Sequence, residues 1–228
     1  MKILKGNYGE CRFCDNMDAE FGLPSLQNQS IQFCFTDFPY NVQYKNKDCS
    51  YEDNKENYVE WIQTRWKQIQ RITESQIITV GSPNDKLWYS FAPPMDKIYH
   101  HKPDGQGIQK YNYLNKIEEV YLYNLPKRYP MNYIKASLDL NHRWNHPCPK
   151  SYKLCKHLIE KQLPMISIMD ICLGSGTIAQ IAEELGIKWL GYEIMEEYAP
   201  DIDKRIQLGI KSHVSYLKNN KKQQTLFK

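Results

Sequence analysis

The chain lacks any apolar run near the ~18–20 residues of a membrane-spanning helix. It also lacks a strong charge of either sign. Its 228 residues hold 30 Lys and Arg against 26 Asp and Glu, a net charge of +4. That slight basicity permits a nucleic-acid partner without demanding one. The start, Met1-Lys2-Ile3-Leu4-Lys5-Gly6, has neither the apolar stretch nor the cleavage site of a secretory signal. Seven cysteines are an odd, scattered set with no disulfide framework, which suits a reduced, cytoplasmic chain. Cys11 and Cys14 stand at metal-ligand spacing but lack a second such pair, since Cys148 and Cys155 are too far apart, so no metal site is expected. Composition at 41% hydrophobic and 25% charged excludes a wholly disordered chain, and the length gives room for one large domain or two small ones. The 17 tyrosines would suit stacking on nucleobases, but a general bias toward Lys, Asn, Ile and Tyr accounts for most of them.

What is present is an alternation of short apolar runs and helical stretches. Ile31–Thr36 reads as a strand stopped by the turn Asp37-Phe38-Pro39-Tyr40. Residues 41–57 are polar, without periodicity, and read as a loop. Trp61, Ile62, Arg65, Trp66 and Ile69 fall at helical spacing and predict a helix over Tyr58–Arg71. Strands are expected at Gln76–Val80, Lys97–Tyr99 and Glu119–Tyr123, with irregular stretches at 102–117 and 124–148. A helix over Ser151–Lys161, with Leu154, Leu158 and Ile159 on one face, is ended by Pro164. Met165–Asp170 is nearly all apolar, as a strand covered on both faces must be. A glycine-bearing turn, a helix over Ile178–Leu185 stopped by Gly186, a strand over Lys188–Tyr192 and a helix over Met195–Gln207 follow. Strand, turn, helix and strand make a βαβ unit, which implies a parallel sheet under covering helices. Residues 212–228 read as a basic, solvated C-terminal tail.

Two constellations carry chemistry. In the first, Asp170, Cys172, Leu173, Gly174, Ser175, Gly176 and Thr177 hand a strand over to a helix. Gly174 and Gly176 let a ligand approach the backbone, and the helix start offers free N–H groups to an anion. Glu193, 23 residues after Asp170, ends the next strand, where an acid can accept both hydroxyls of a ribose. Together they indicate a nucleoside-containing cofactor; the plain alternative is a βα turn with a surface glutamate. No Gly-Lys-Ser/Thr follows, so this is not a phosphate-binding P-loop, and the third glycine of a dinucleotide fingerprint is missing.

In the second, Thr36-Asp37-Phe38-Pro39-Tyr40-Asn41 closely resembles the Asp-Pro-Pro-Tyr signature of amino-group DNA methyltransferases. Phe38 stands where that family usually has its first proline. Asp170–Thr177 resembles the family's cofactor motif and Glu193 its ribose-binding acid. His146-Pro147-Cys148-Pro149-Lys150 resembles a His-Pro…Lys segment before the cofactor strand, which gives His146 and Lys150 cofactor roles. Lys5-Gly6-Asn7 is similar to a Gly-Asp that ends an N-terminal strand, with Asn7 in place of an aspartate that contacts cofactor adenine. The catalytic signature precedes the cofactor turn by over 130 residues, the order of the permuted β group and the reverse of the protein-glutamine methyltransferases.

The resemblance implies an α/β, Rossmann-like fold with a mostly parallel seven-stranded sheet, helices on both faces and a circularly permuted motif order. A single domain would span 1–228, with a target-recognition insert at 84–145. It implies S-adenosylmethionine as cofactor, DNA as partner, and a homodimer as in many members. The reaction would be methyl transfer to the exocyclic amino group of a flipped-out base. Asp37 and the Phe38 carbonyl would accept from the amino group, Pro39 would stiffen the turn and Tyr40 would stack on the base. Asp37 points to adenine N6, because cytosine-N4 relatives more often carry serine there. Phosphate and base contacts are expected from Asn41, His100, His101, Lys102, Lys127, Arg128 and Arg143. The rival readings are a cytosine-N4 enzyme, an RNA-directed relative and a non-catalytic nucleic-acid-binding module.

Overall fold

In the computed structural model, which describes residues 1–41, 55–104, 116–139 and 144–226, the chain runs β1 (Lys2–Lys5), β2 (Gly9–Phe13), β3 (Ile31–Asp37), α1 (Tyr58–Ile72), β4 (Thr73–Thr79), α2 (Asp85–Phe91), β5 (Asp96–His101), β6 (Ile117–Tyr123), β7 (Tyr133–Lys135), α3 (Tyr152–Glu160), β8 (Ser167–Asp170), α4 (Thr177–Leu185), β9 (Lys188–Glu193) and α5 (Ala199–Leu226). Its strands form one sheet in the order β1-β2-β9-β8-β3-β4-β6-β5-β7. The five strands β2, β9, β8, β3 and β4 are mutually parallel; β6 runs against β4, and β5 against β6. The sheet has nine strands instead of the seven expected, because β1 and β7, of four and three residues, add an edge on either side. Strands this short show too little alternation to be read from sequence.

The core follows the two-residue period of the strands. Phe33 and Phe35 of β3, Ile77 of β4, Val120 and Leu122 of β6 and Ile168 of β8 pack on the face covered by α3, α4 and α5. Their neighbours Cys34, Ile78, Tyr121, Tyr123 and Met169 point the other way, onto α1 and α2. Tyr58, Ile62, Arg65, Trp66, Ile69 and Ile72 form the buried stripe of α1. Segment 84–145, expected as a recognition insert, contributes α2, β5, β6 and β7, so much of it builds the sheet. The backbone of the expected tail is helical through Leu226 as the end of α5. Arg143 and residues 42–54 of the expected loop lie outside the described residues. Among the described residues, no helix is long and apolar enough to cross a membrane.

Strand polarity positions the site. Parallel pairing puts the carboxyl ends of β9, β8, β3 and β4 on one edge, where Phe13 is level with Glu193 and Asp37 with Thr79. The reversed β6 brings its amino end, with Glu118, to the same edge, and β5 delivers His101 there.

Candidate active site

The two turns of interest leave adjacent strands. β3 and β8 pair directly, and the Thr36 hydroxyl donates to Asp170 Oδ1 at 2.8 Å. The same oxygen accepts from the Cys172 N–H at 3.0 Å. Burial lifts the Asp170 carboxyl to about 7, against the lowering effect of these two bonds.

In the glycine turn, Gly174 and Gly176 adopt φ of +54° and +87°, a region costly for residues bearing a Cβ. A Cβ on Gly174 would lie 2.9 Å from His146 Nε2, so His146 roofs the turn. His146 is itself held by Asp201, which accepts its N–H at 2.9 Å, and by an edge contact with Tyr198 at 4.8 Å between ring centroids. Burial lowers the imidazole to about 4, so the ring is neutral at ordinary pH. Gly176 caps α4, whose first residue, Thr177, is buried with Ser175. Glu193 accepts from Gly174 N–H at 2.7 Å and Met195 N–H at 2.9 Å. The carboxylate is thus fixed beside the turn with lone pairs remaining for further donors. Left-handed glycines, an open helix start and a clamped acid fit an anionic, ribose-bearing cofactor.

Asp37 ends β3. Its Oδ1 accepts from the Thr79 hydroxyl at 2.5 Å and lies 3.0 Å from Lys150 Nζ; Oδ2 takes part in neither contact. The side chain keeps 29% of its exposure, so the carboxylate faces outward from a mostly protein-lined position. Burial raises its pKa; Lys150 opposes that rise and Glu118 adds to it. Phe38 turns its ring inward, 1% exposed, against Trp88 and Trp61 at centroid distances of 5.2 and 6.1 Å. An aromatic pocket therefore accommodates the residue that departs from the family signature. The backbone of the turn is pinned: Phe38 N–H donates to Thr79 O at 2.9 Å, the Tyr58 hydroxyl to Pro39 O at 2.5 Å and Asn84 Nδ2 to Tyr40 O at 2.7 Å. The Tyr40 ring lies on Gly81, where a Cβ would come within 2.5 Å of it.

Several sequence expectations are corrected here. Lys150, expected at the cofactor, turns its ammonium to the catalytic half, donating to the Tyr40 hydroxyl at 2.9 Å and to Glu118 Oε2 at 2.8 Å. Only its carbonyl reaches the cofactor turn, accepting from Thr177 Oγ1 at 3.5 Å. Asn7 lies at the opposite edge, beside Gly9, which pairs with Trp189 at the start of β9, and its N–H is bound by Glu183 at 3.0 Å. The segment that does reach the cofactor edge after β2 is Cys14-Asp15-Asn16, with Asn16 Nδ2 on Ile171 O at 2.8 Å.

The expected nucleic-acid contacts also divide. His100 is fully buried, with Nε2 on Ala136 O at 2.9 Å, and presents nothing to DNA. Lys127 and Arg128 follow the carboxyl end of the reversed β6, so they sit on the far edge, where Lys127 Nζ binds Leu163 O. His101 and Lys102 are on the site's edge, His101 on the Tyr133 hydroxyl at 2.6 Å and Lys102 Nζ 3.6 Å from Glu118. Asn41, at φ +52°, uses its side-chain oxygen to accept from Lys55 N–H at 2.6 Å. Among the described residues, no group of three or more His, Cys, Asp or Glu could hold a metal ion.

Sequence reasoning missed Glu118, Thr36, Thr79 and Gly81. A Thr or Gly closing a strand carries no pairing signal, and Glu118 reads as the polar start of an ordinary strand.

Two turns on one carboxyl edge of a largely parallel sheet form an arrangement common to nucleotide-cofactor enzymes. The model of the N6/N4 DNA methylase family matches residues 31–204, and the chain belongs to that family of DNA methyltransferases. Among solved structures, it resembles the PvuII DNA methyltransferase (cytosine-N4-specific), with a TM-score of 0.70 at 19% identity over 88% of this chain and 87% of that one. It also resembles M1.HpyAVI in complex with SAM, with a TM-score of 0.60 at 20% identity over 86% of this chain and 99% of that one. These likenesses show the shared fold. No curated protein matches the sequence.

Proposed function

We propose that this DNA methyltransferase moves a methyl group from S-adenosylmethionine to the exocyclic amino group of a flipped base, with adenine N6 as the target. The observation that carries the reading is the direct bond between the two turns, Thr36 Oγ1 to Asp170 Oδ1 at 2.8 Å. It sets the strand end bearing Asp37 beside the cofactor turn. Gly174, Gly176, Thr177 and Glu193 would hold the cofactor, which supplies an electrophilic methyl group when bound. Asn16 and Asp15, beyond the carboxyl end of β2, are on the same edge as the cofactor turn and would be better placed than Asn7 to contact the cofactor.

The amino nitrogen of a base is a poor nucleophile because its lone pair is delocalised into the ring. Asp37 accepts one of its N–H bonds and the Phe38 carbonyl the other, which localises the lone pair and stabilises the positive charge that grows on nitrogen. The N–C bond forms as the S–C bond breaks, leaving a neutral thioether, and one N–H proton is then lost to solvent. Fixed acceptors avoid the reorganisation that water would require, and in-line placement supplies much of the remaining acceleration. Tyr40 offers its ring to the extruded base. Asp37 favours adenine, while the likeness to a cytosine-N4-specific enzyme favours the second reading, N4 of cytosine.

The test is incubation of the protein with unmethylated DNA and isotopically labelled S-adenosylmethionine, followed by nucleoside mass spectrometry. N6-methyladenine is the expected product. Asp37→Ala should abolish it while calorimetry still shows cofactor binding. N4-methylcytosine alone would assign the second reading, and an unlabelled product pool would refute both.

A further inference from the structure

Glu118 is 2% exposed, yet four polar side chains converge on its carboxylate. The Tyr40 hydroxyl donates to Oε1 and Lys150 Nζ to Oε2 at 2.8 Å. His100 Nδ1 lies 3.5 Å from Oε2, and Lys102 Nζ 3.6 Å from Oε1. Burial alone would raise its pKa, but the positive charges of Lys150 and Lys102 and the nearby His100 outweigh it and hold the carboxylate ionised. Burying such a charge network is expensive, and an apolar residue would serve packing better. Val120 and Leu122 already supply the apolar packing of β6. Two of these groups lead to the catalytic turn: Tyr40 belongs to it, and Lys150 reaches Asp37 Oδ1 at 3.0 Å and the Tyr40 hydroxyl at 2.9 Å.

We propose that Glu118 is a positioning residue for methyl transfer: it fixes the Tyr40 hydroxyl and the Lys150 ammonium, and through them the ring that meets the base and the carboxylate that meets its amino group. The proposal rests on the function argued above. Tyr40, tied by its hydroxyl at one end and by Gly81 beneath its ring, cannot swing without breaking two bonds. Lys150 is shared between Glu118 and Asp37, so the charge on one sets the field at the other.

Asp37 is faced by Lys150 from the segment before α3, Glu118 from β6, Asp170 from β8 and Tyr40 in its own turn. The thiols of Cys148, Cys155 and Cys172 also face it. Glu118→Gln keeps the shape and removes one negative charge. Asp37 then has Lys150 to itself and should titrate lower by about one pH unit.

Two readouts test this. The first is the titration of Asp37 followed by NMR in protein carrying 13C-labelled aspartate. The second is kcat, KM and the acid limb of the pH profile for methyl transfer to DNA. Folded Glu118→Gln should lower kcat about tenfold, leave KM for S-adenosylmethionine within about twofold, and shift both the titration and the acid limb downward. Tyr40→Phe removes the hydroxyl's bonds to Glu118 and Lys150 but leaves those two charges paired with each other, which guards against a variant that fails to fold. It should also lower kcat about tenfold at constant cofactor KM. An unmoved Asp37 titration in folded Glu118→Gln, or undiminished kcat in Tyr40→Phe, overturns the proposal while the function stands. A wild-type chain that transfers no methyl group to DNA overturns the function itself.

Discussion

Replacing Glu193 with glutamine should remove a pH dependence from the stability of the cofactor-free protein. Glu193 is 8% exposed, and burial lifts its carboxyl from 4.5 to about 7 even though the N–H groups of Met195, Gly174 and Ile194 pull it down. In the unfolded chain the group ionises near 4.5. Between the two values the folded state holds a proton that the unfolded state has lost, so stability falls as pH rises through this window. The loss is complete above the folded value. The gap from 4.5 to about 7, at 1.36 kcal/mol per pH unit, corresponds to about 3 kcal/mol. Glutamine does not titrate and keeps one carbonyl acceptor for the Gly174 or Met195 N–H. The difference in unfolding free energy, variant minus wild type, should therefore grow by about 3 kcal/mol between pH 4.5 and pH 8. Urea unfolding followed by tryptophan fluorescence measures it, with m-values required to match. Asp170 titrates in both proteins and largely cancels. The same variant should bind S-adenosylmethionine about tenfold more weakly or worse, because ribose hydroxyls lose a charged acceptor. The more stable protein at pH 8 would be the poorer binder. A stability difference that stays flat with pH refutes the assignment of Glu193 as a buried, strained acid.

Three further outcomes follow from the geometry. Gly174→Ala forces a Cβ to 2.9 Å from His146 Nε2 at φ +54°, which should cost ~1–2 kcal/mol and weaken cofactor binding in calorimetry. Glu183→Ala strips the acceptor from Asn7 N–H, Tyr8 N–H and Trp189 Nε1, at 3.0, 2.9 and 2.7 Å, and should destabilise the protein by ~3–5 kcal/mol in urea titration. Lys127→Ala with Arg128→Ala should leave DNA affinity within about twofold in fluorescence anisotropy, because both sit on the far edge of the sheet, away from any phosphate the site could engage.

The parts of the fold legible in sequence were those with long, regular signals. The stripe of α1, the unbroken apolar run leading into β8 and the glycine-capped α4 each carry a strong local signal. β1, β2 and β7 carry none, so the residues alone show six strands, and the expected seven rest on the family resemblance. In the site, the motifs located the two turns, but not which way a long side chain would reach. Lys150 lies in the segment before α3 and the cofactor strand, yet four methylenes carry its charge to Asp37 and Glu118. His100 looked like a surface base next to His101, but alternation along β5 sends one imidazole inward and the other outward. Glu118 and Lys150 are 32 residues apart, and nothing local couples them.

Strand polarity explains both the successes and the errors. In a parallel sheet every carboxyl end lies on one edge, so two strand ends 134 residues apart in sequence can hydrogen-bond when their strands are neighbours. Motif order along the chain then has no bearing on the geometry of the site: β3 and β8 would present Asp37 and Asp170 side by side whichever came first. The same rule admits residues at the amino end of an antiparallel strand, which is how Glu118 of β6 enters the site. It excludes Asn7, level with the start of β9, and Lys127 and Arg128, past the carboxyl end of β6. Each of those three has the chemical type or local motif of a site residue, but strand direction places it away from the edge that carries Asp37 and Glu193. For a sheet enzyme of this kind, the sign of each strand is therefore the first filter to apply to a candidate residue, ahead of its charge or its spacing.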